Sequence, residues 1–268
     1  MPSEDEYQKT RGECIGIISG KGGVGKSILT VNLGAALARM GRRVLCMDCA
    51  AGLRGLDLAL GLSDASAMNF MDVAMGECDL KQAVIAYPDE PGLFLLNAPV
   101  NQIADGDWNQ SAESGMMDFI SQIREEFDDC LMDAPPGLGF GFELASKFSS
   151  RVIVVTQMEP SAIRDAQKAV IRLEELYPGQ FPDGKINLII NRVRRSVLFR
   201  TRMTIDDAMD QAGLPLLGLI PEDMAVLYAL HRQQPVTVAY PSSRAAGAIR
   251  NIARRITDKA IPLARMPW

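Results

Sequence analysis

The residues best placed to do chemistry form one glycine-rich stretch near the start of the chain, Gly20-Lys21-Gly22-Gly23-Val24-Gly25-Lys26-Ser27. Its spacing matches G-x-x-x-x-G-K-[ST], in which backbone N–H groups surround a phosphate, the lysine reaches the β- and γ-phosphate oxygens and the hydroxyl binds Mg²⁺. Lys26 and Ser27 take those two positions here. Lys21 is a second lysine that the pattern does not require. The stretch therefore predicts a site for a nucleoside triphosphate with Mg²⁺.

The segments on either side of this stretch are those that such a loop needs. Residues 14–19 form an apolar, β-branched run typical of a buried strand, and residues 28–40 have helical spacing with Leu29, Leu33, Ala36 and Leu37 on one face. The N-terminus of a helix carries partial positive charge and unpaired N–H groups, so it favours an anion. A glycine-rich turn with two solvated lysines is the alternative, and the flanking strand and helix argue against it.

An acidic residue ends a later predicted strand. This strand begins at Cys130, ends at Asp133 and is followed by the turn Ala134-Pro135-Pro136-Gly137. The C-terminal ends of parallel strands border the ligand crevice of open α/β sheets, where a carboxylate suits the surroundings of Mg²⁺. A carboxylate that only caps the following turn is the alternative. The phosphate loop elsewhere in the chain favours the first interpretation.

The loop with its two lysines resembles the deviant Walker A motif of the MinD/ParA family of ATPases. A second stretch is similar to the MinD branch of that family, Asp48-Cys49-Ala50-Ala51-Gly52-Leu53-Arg54-Gly55-Leu56-Asp57. The resemblance implies that Lys26 acts on the nucleotide of its own subunit, and that Lys21 crosses to the nucleotide of the other subunit in an ATP-dependent homodimer. The nucleotide-binding positions that it implies in the loop are Gly22, Gly23, Val24, Gly25, Lys26, Ser27 and Ile28.

The second stretch also departs from the family. The family pattern is Asp-x-Asp, with the first carboxylate near the water shell of Mg²⁺ and the second orienting the water that attacks the γ-phosphate. This chain has Asp48 in the first place and Ala50 in the second. A methyl group cannot orient water, and losing such a group commonly costs about 10²–10⁴-fold in rate. We therefore expect ATP binding with poor hydrolysis.

Two explanations of Ala50 compete. The chain is either a natural pseudo-hydrolase or one that carries an Asp→Ala change made to hold the ATP-bound dimer. The second is favoured because every other position of the stretch fits an active enzyme.

The resemblance extends to further residues near the nucleotide. Asp133 is similar to the family's Walker B aspartate, which makes Ser27, Asp48 and Asp133 the expected magnesium positions. Asn191 and Arg192 follow the predicted strand 185–190 and resemble the family's adenine-reading pair, since an amide offers a donor and an acceptor together. The loop after the predicted strand 216–220 matches one that flanks the base, Pro221-Glu222-Asp223.

The chain as a whole predicts an α/β fold. Apolar strand patterns, among them 43–47 and 151–156, alternate with helices of ten or more residues, which indicates a mostly parallel central sheet with helices on both faces. One of these helices is expected to run to about Leu176 with Ser161 as its N-cap. The 268 residues fit a single P-loop NTPase domain over 12–262, between an acidic tail at 1–11 and a short tail at 263–268.

The composition and the first residues of the chain predict its cellular compartment and the state of its cysteines. The chain is 47% hydrophobic, and residues 1–12 are too polar for a signal peptide, so the cytoplasm is expected. Five cysteines in such a chain indicate reduced thiols. Cys46 and Cys49 form a C-x-x-C, but a lone pair supplies only two metal ligands, so incidental core cysteines are favoured over a metal site. His231, the one histidine, is interpreted as a surface residue.

The partners are harder to derive. Ile249, Ile252 and Ile256 share a helical face with basic neighbours including Lys259, which suits either a membrane-surface helix or, preferably, a last helix docked on the sheet. DNA is a rival partner. It is suggested by five arginines and opposed by the net charge of -5; the arginines are Arg192, Arg194, Arg195, Arg200 and Arg202.

Three functions are consistent with the sequence. The leading one is a MinD-like ATPase for placing the cell-division site, whose ATP-bound dimer recruits protein partners at the membrane. The second is a flagellar-number regulator or ParA-type DNA-partition ATPase. The third is a metallocentre-insertion ATPase.

Overall fold

The described strands of the computed structural model belong to one sheet; the description covers residues 12–63, 65, 68–103, 110–196 and 203–257. The strands are β1 (Glu13–Ile18), β2 (Val44–Asp48), β3 (Ile85–Ala86), β4 (Leu93–Leu96), β5 (Asp129–Asp133), β6 (Arg151–Gln157), β7 (Ile186–Val193) and β8 (Leu216–Pro221). Their order is β3-β4-β2-β5-β1-β6-β7-β8, and every neighbouring pair is parallel except β3 with β4. The expected mostly parallel sheet is confirmed.

Helices cover both faces of the sheet, as predicted. They are α1 (Lys26–Ala38), α2 (Leu56–Leu60), α3 (Phe70–Ala74), α4 (Leu80–Ala83), α5 (Gln110–Glu126), α6 (Phe140–Lys147), α7 (Pro160–Leu176), α8 (Ile205–Ala212), α9 (Met224–His231), α10 (Val236–Ala239) and α11 (Arg244–Thr257). One core layer contains apolar side chains of α3 to α8, and the other contains those of α1, α2 and α9 to α11.

The central strands place acidic side chains at one edge of the sheet. β2 and β5 are buried along their whole length, because helices cover both faces of the sheet, and most of their residues are accordingly apolar. Each of these strands ends in a carboxylate, and Asp48 lies in register beside Asp133. β1 pairs with β5 on its other side and leads directly into the phosphate loop. The loop and both carboxylates therefore meet at one edge.

The last helix docks on the sheet. Ile249, Ile252 and Ile256 of α11 are buried in the same core layer as α1. The docked-helix interpretation is confirmed, and the membrane-anchor interpretation of these isoleucines is wrong, because their apolar face is already covered. α1 is buried on almost every side rather than on one face, since α2 and α11 also pack on it. Lys259 and the two predicted tails lie outside the described residues.

Several local predictions need correction. Ser161 is not an N-cap: α7 begins at Pro160 after Glu159, because proline fits the first helical position. The helix predicted at 28–40 begins at Lys26 and ends at Ala38, and β7 continues to Val193. The short strands β3 and β4 were not predicted. Among the described residues, no helix combines the length and apolar content that spanning a bilayer requires.

Candidate nucleotide site

The phosphate loop joins β1 to α1 through glycines in the left-handed backbone region. Gly23 has φ of 77° and Gly25, the residue before α1, has φ of 96°. A Cβ on Gly25 would lie 2.5 Å from Nδ2 of Asn191, whereas a Cβ on Gly23 would meet nothing within 4 Å. No described side chain caps α1. The first N–H groups of this helix are therefore open to an anion.

Lys26 is held inside the loop. Its Nζ donates a 2.8 Å hydrogen bond to Oγ of Ser19, and Oγ of Ser19 donates to the carbonyl oxygen of Lys21. The pKa of Lys26 is lowered because the side chain is buried, and the charge of Asp133 opposes this effect. A buried ammonium with so little compensating charge is well suited to receive phosphate oxygens.

Two hydroxyls from α1 reach the carboxylate of Asp133. Oγ of Ser27 donates to Oδ2 at 2.6 Å, and Oγ1 of Thr30 donates to Oδ1 at 3.0 Å. Burial, and next the charge of Asp48, raise the pKa of Asp133 to about 7. A buried carboxyl beside a hydroxyl is a set of hard oxygen donors, so the residues fit Mg²⁺. The sequence analysis did not identify Thr30. Its position one helical turn after Ser27 places both hydroxyls on the same side of α1, and this spacing could have indicated it.

Asp48 closes the loop that follows β2. Its Oδ1 accepts the N–H of Ala50 at 2.8 Å, and its Oδ2 accepts those of Gly55 at 2.8 Å and Leu56 at 3.3 Å. Burial raises the pKa of Asp48, and the three backbone donors oppose that shift. Asp48 therefore lies beside Asp133, as expected, and also ties residues 50–56 into a closed loop, which was not expected.

Ala50 lines the cavity over the phosphate loop. The cavity has a volume of about 260 Å³, and its walls include Lys26, Ser27 and Leu53. Among its described lining residues, the only carboxylate is Asp133, whose two oxygens already accept the hydroxyls of Ser27 and Thr30. Ala50 contributes to the wall of this cavity, and its side chain carries no oxygen.

Lys21 lies outside its own phosphate cavity. Its Nζ is 2.6 Å from Oε2 of Glu159 and donates to Oγ of Ser161 at 3.2 Å. The hydrogen bond from Lys21 lowers the pKa of Glu159. Both side chains of the ion pair are partly exposed, so the contact is readily exchanged.

A second and larger cavity contains the residues expected to contact the base. It has a volume of about 530 Å³ and is lined by Gly25, Ile28, Asn191, Arg192, Pro221, Glu222 and Asp223, and by apolar residues of α9 that sequence reasoning missed. Asn191 also braces the loop, because its Nδ2 donates to the carbonyl oxygen of Val24 at 2.8 Å. Asp223 accepts the N–H groups of Ala225 and Ala245 and so links α9 to α11.

Comparison with known proteins assigns the family. Residues 15–236 match the model of the CobQ/CobB/MinD/ParA nucleotide binding domain. The chain belongs to this family. It is similar to the septum site-determining protein MinD of Synechocystis sp., with 36% identity over 249 residues, 92% of this chain and 90% of the relative. MinD of Bacillus subtilis is 35% identical over 253 residues, 94% of this chain and 91% of that relative.

Solved structures of the family have the same fold. The structure of the MinC:MinD cell division protein complex of Aquifex aeolicus has a TM-score of 0.80 and 32% identity, covering 95% of this chain and 99% of that chain. MinD of Pyrococcus horikoshii complexed with Mg-ADP has a TM-score of 0.75 and 27% identity, covering 92% of this chain and 96% of that chain.

The remaining candidate residues of this family member are the two cysteines, the arginines and the histidine. Cys46 and Cys49 are buried core residues, and burial raises the pKa of both thiols. Arg192, Arg194 and Arg195 are exposed, and Arg194 is paired with Glu222, while Arg200 and Arg202 lie outside the described residues. His231, the last residue of α9, is exposed, as expected.

Proposed function

We propose that this chain is a MinD-like ATPase that acts as an ATP-dependent switch in placing the cell-division site. In this proposal Mg-ATP binds at the phosphate loop, the ATP-bound chain forms a homodimer, and the dimer recruits a protein partner at a membrane surface. The observation that carries the proposal is the meeting of Lys26, Ser27 and Asp133 around one cavity beneath the N-terminus of α1. The similarity to MinD proteins supports the cellular role.

The loop residues exchange internal partners for the nucleotide. Lys26 leaves Ser19 for the β- and γ-phosphate oxygens, and the open N–H groups of α1 surround the phosphates. When bound, Mg²⁺ neutralises charge on the β- and γ-phosphates, and Ser27 with Asp133 would hold it. The hydroxyl of Ser27 is freed for this role when it ceases to donate to Asp133.

Hydrolysis is expected to be slow in this chain. No described carboxylate lining the phosphate cavity is free to orient the attacking water, since Asp133 is engaged and position 50 is alanine. Positioning of this water normally contributes about 10²–10⁴-fold. The ATP-bound state should therefore persist.

Lys21 supplies the contact between subunits in this proposal. Lys21 contacts Glu159 and Ser161 and does not line the phosphate cavity of its own subunit. Its side chain can therefore move to the nucleotide of a second subunit without changing the contacts of Lys26. Breaking the ion pair with Glu159 costs little free energy, because both side chains are partly exposed.

A DNA-partition activity is the second candidate. It is favoured by the exposed arginines at 192, 194 and 195, which follow the base-cavity residue Asn191. A gel shift that requires ATP and weakens steeply with salt would support it over the leading proposal.

The nucleotide part is tested by calorimetric titration of ATP, with and without Mg²⁺. We expect Mg²⁺ to tighten binding to this chain and Lys26→Ala to remove binding, while Lys168→Ala, on the exposed side of α7, leaves it unchanged. Equal ATP affinity of the chain and the Lys26→Ala variant would contradict the proposed site.

A further inference from the structure

Two cysteines face each other across neighbouring strands of the sheet. Cys14 of β1 lies in direct register with Cys130 of β5. Both are free thiols, and both are buried in the core layer that contains the apolar side chains of α5 and α6. Cys46, by contrast, lies in register with Leu131 and belongs to the other core layer. The fold therefore brings the thiols of Cys14 and Cys130 together.

The register of these two residues suits a disulfide. Neighbouring strands lie about 4.7–4.9 Å apart, which is within the Cα separation of about 4.4–6.8 Å at which disulfides form. The side chains of Cys14 and Cys130 leave the same face of the sheet, because both lie in one core layer. The two thiols are also hydrogen-bond partners. A bond between the sulfur atoms thus requires rotation of the side chains and little movement of either strand.

The surroundings of the two thiols make Cys14 the more reactive one. The hydrogen bond with Cys130 lowers the pKa of Cys14, burial opposes this shift, and Arg124 adds to the lowering. The same hydrogen bond and burial raise the pKa of Cys130. Because the thiolate is the nucleophile, Cys14 is the thiol that attacks an oxidant, and Cys130 is placed to resolve the product.

A polar cavity borders Cys14 at the N-terminal end of β1, away from the phosphate loop. The cavity has a volume of about 490 Å³, and its walls include Glu13, Arg124 and Ser150. Oγ of Ser150 donates to the carbonyl oxygen of Cys14 at 3.2 Å, and the guanidinium of Arg124 hydrogen-bonds to the thiol. Arg124 thus contacts both the cavity and the sulfur. Since Arg124 is partly exposed, a movement of its side chain admits a molecule as small as hydrogen peroxide.

We propose that Cys14 and Cys130 form a reversible disulfide when the chain meets a hydroperoxide, independently of the proposed nucleotide switch. The Cys14 thiolate attacks a peroxide oxygen, the O–O bond breaks, and hydroxide leaves as water with the proton that Cys14 gave up, so that Cys14 becomes a sulfenic acid. The Cys130 sulfur then attacks the Cys14 sulfur. The S–S bond forms, the S–O bond breaks, and a second water leaves with the proton of Cys130. Two thiols lose two electrons, and one hydrogen peroxide is reduced to two waters.

The disulfide would join the two strands that carry the phosphate site. β1 leads into the phosphate loop, and β5 ends in Asp133. The cysteines are far apart in the chain, so the bond closes a long loop and restricts the unfolded state strongly. The oxidised chain should therefore unfold at a higher temperature than the reduced chain.

Mass spectrometry after peroxide treatment tests the proposal. The nucleotide-free chain is incubated with hydrogen peroxide, unfolded in N-ethylmaleimide to block free thiols, and digested without reduction. We expect peptides linked through Cys14 and Cys130, and a Tm that rises on oxidation and returns with dithiothreitol. Cys130→Ser should lose the link and the rise in Tm. Cys46→Ser is the matched control, because Cys46 is buried in the strand beside β5, and it should keep both. Arg124→Gln should slow formation of the link several-fold, because it removes the cation beside the Cys14 thiol.

Each step of the proposal has a result that would overturn it. Recovery of both cysteines as blocked thiols would show two incidental core residues. A sulfinic acid at Cys14 with an unmodified Cys130 would remove the resolving role of Cys130, and a link between Cys130 and Cys49 of the same core layer would replace the assigned pair. A link that forms no faster than the most protected amides exchange would mean that oxidation waits for global unfolding, which would overturn access from the cavity.

Discussion

The Ser27 hydroxyl donates a 2.6 Å hydrogen bond to Asp133, which holds the expected magnesium ligand against a buried carboxyl at the end of the neighbouring strand. The side chains come from residues 106 positions apart in the chain, and register places them at the same edge of the sheet. This contact links the stability of the nucleotide-free protein to the site that binds the nucleotide.

Asp133→Asn should stabilise the nucleotide-free chain at pH 8. Burial raises the pKa of Asp133 from 3.8 to about 7, so the folded state favours the neutral carboxyl. The contribution of Asp133 to the stability of the unmodified chain is therefore greatest below pH 4 and falls as the pH rises toward 7. The neutral amide avoids this loss, which is on the order of 2–4 kcal/mol.

The measurement for this prediction is chemical unfolding at pH 5 and pH 8. The free energy of unfolding of Asp133→Asn should exceed that of the unmodified chain by more at pH 8 than at pH 5. Asp118→Asn, at an exposed position, should show no such pH-dependent difference. A lower stability of Asp133→Asn at pH 8 would contradict the account. The variant should also lose the tightening of ATP binding by Mg²⁺.

Asp48→Asn should loosen the loop at residues 50–56. The carboxylate accepts three backbone N–H groups, and an amide side chain presents one of its two sides as a donor instead. We expect a loss of about 1–3 kcal/mol and faster hydrogen exchange at Ala50, Gly55 and Leu56. Unchanged protection of these three amides would show that Asp48 does not hold the loop.

Gly25→Ala should destabilise the chain more than Gly23→Ala. Both glycines have positive φ, so each substitution costs roughly 1–2 kcal/mol in backbone strain. Only the Cβ at position 25 meets a neighbour, Nδ2 of Asn191 at 2.5 Å. Thermal unfolding should show a larger loss of stability for Gly25→Ala than for Gly23→Ala. This difference in stability should become smaller when each substitution is made separately in an Asn191→Ala background. An equal loss for the two glycines would remove the packing argument.

Ala50→Asp should raise ATP turnover by about 10²–10⁴-fold, because it returns a water-orienting carboxylate to the phosphate cavity. Phosphate release at saturating Mg-ATP measures this change. Ala51→Asp is the control, since the neighbouring side chain does not line the cavity and should leave turnover low. Turnover by Ala50→Asp no faster than that of the unmodified chain would mean that another feature limits hydrolysis.

The sequence predicted those parts of the site that depend on neighbours along the chain. The phosphate loop, its helix and the carboxylate at Asp133 follow from local spacing, and the structure brings them together at one sheet edge. The brace from Asn191 to Val24 joins residues 167 positions apart, so no local pattern could show it. The closure of the loop by Asp48 depends on backbone geometry rather than on residue type.

The same distinction explains the errors in the fold. β3 has two residues and is too short for an alternating pattern, and β4 has four. The amphipathic pattern of α11 shows an apolar face but not what covers it, which is why a docked helix and a membrane helix were both consistent with Ile249, Ile252 and Ile256. Ser161 matches the residue preference of an N-cap, yet the preceding proline fixes the start of α7 at residue 160.

The most direct test of the central claim is the mass in solution of this chain and of its Lys21→Ala variant, by light scattering in Mg-ADP and in Mg-ATP. We predict that the unmodified chain is a dimer in Mg-ATP and a monomer in Mg-ADP. Lys21→Ala should be a monomer in both nucleotides, although it still binds ATP through Lys26. A monomer of the unmodified chain in Mg-ATP, or an equally stable dimer of Lys21→Ala, would contradict the account.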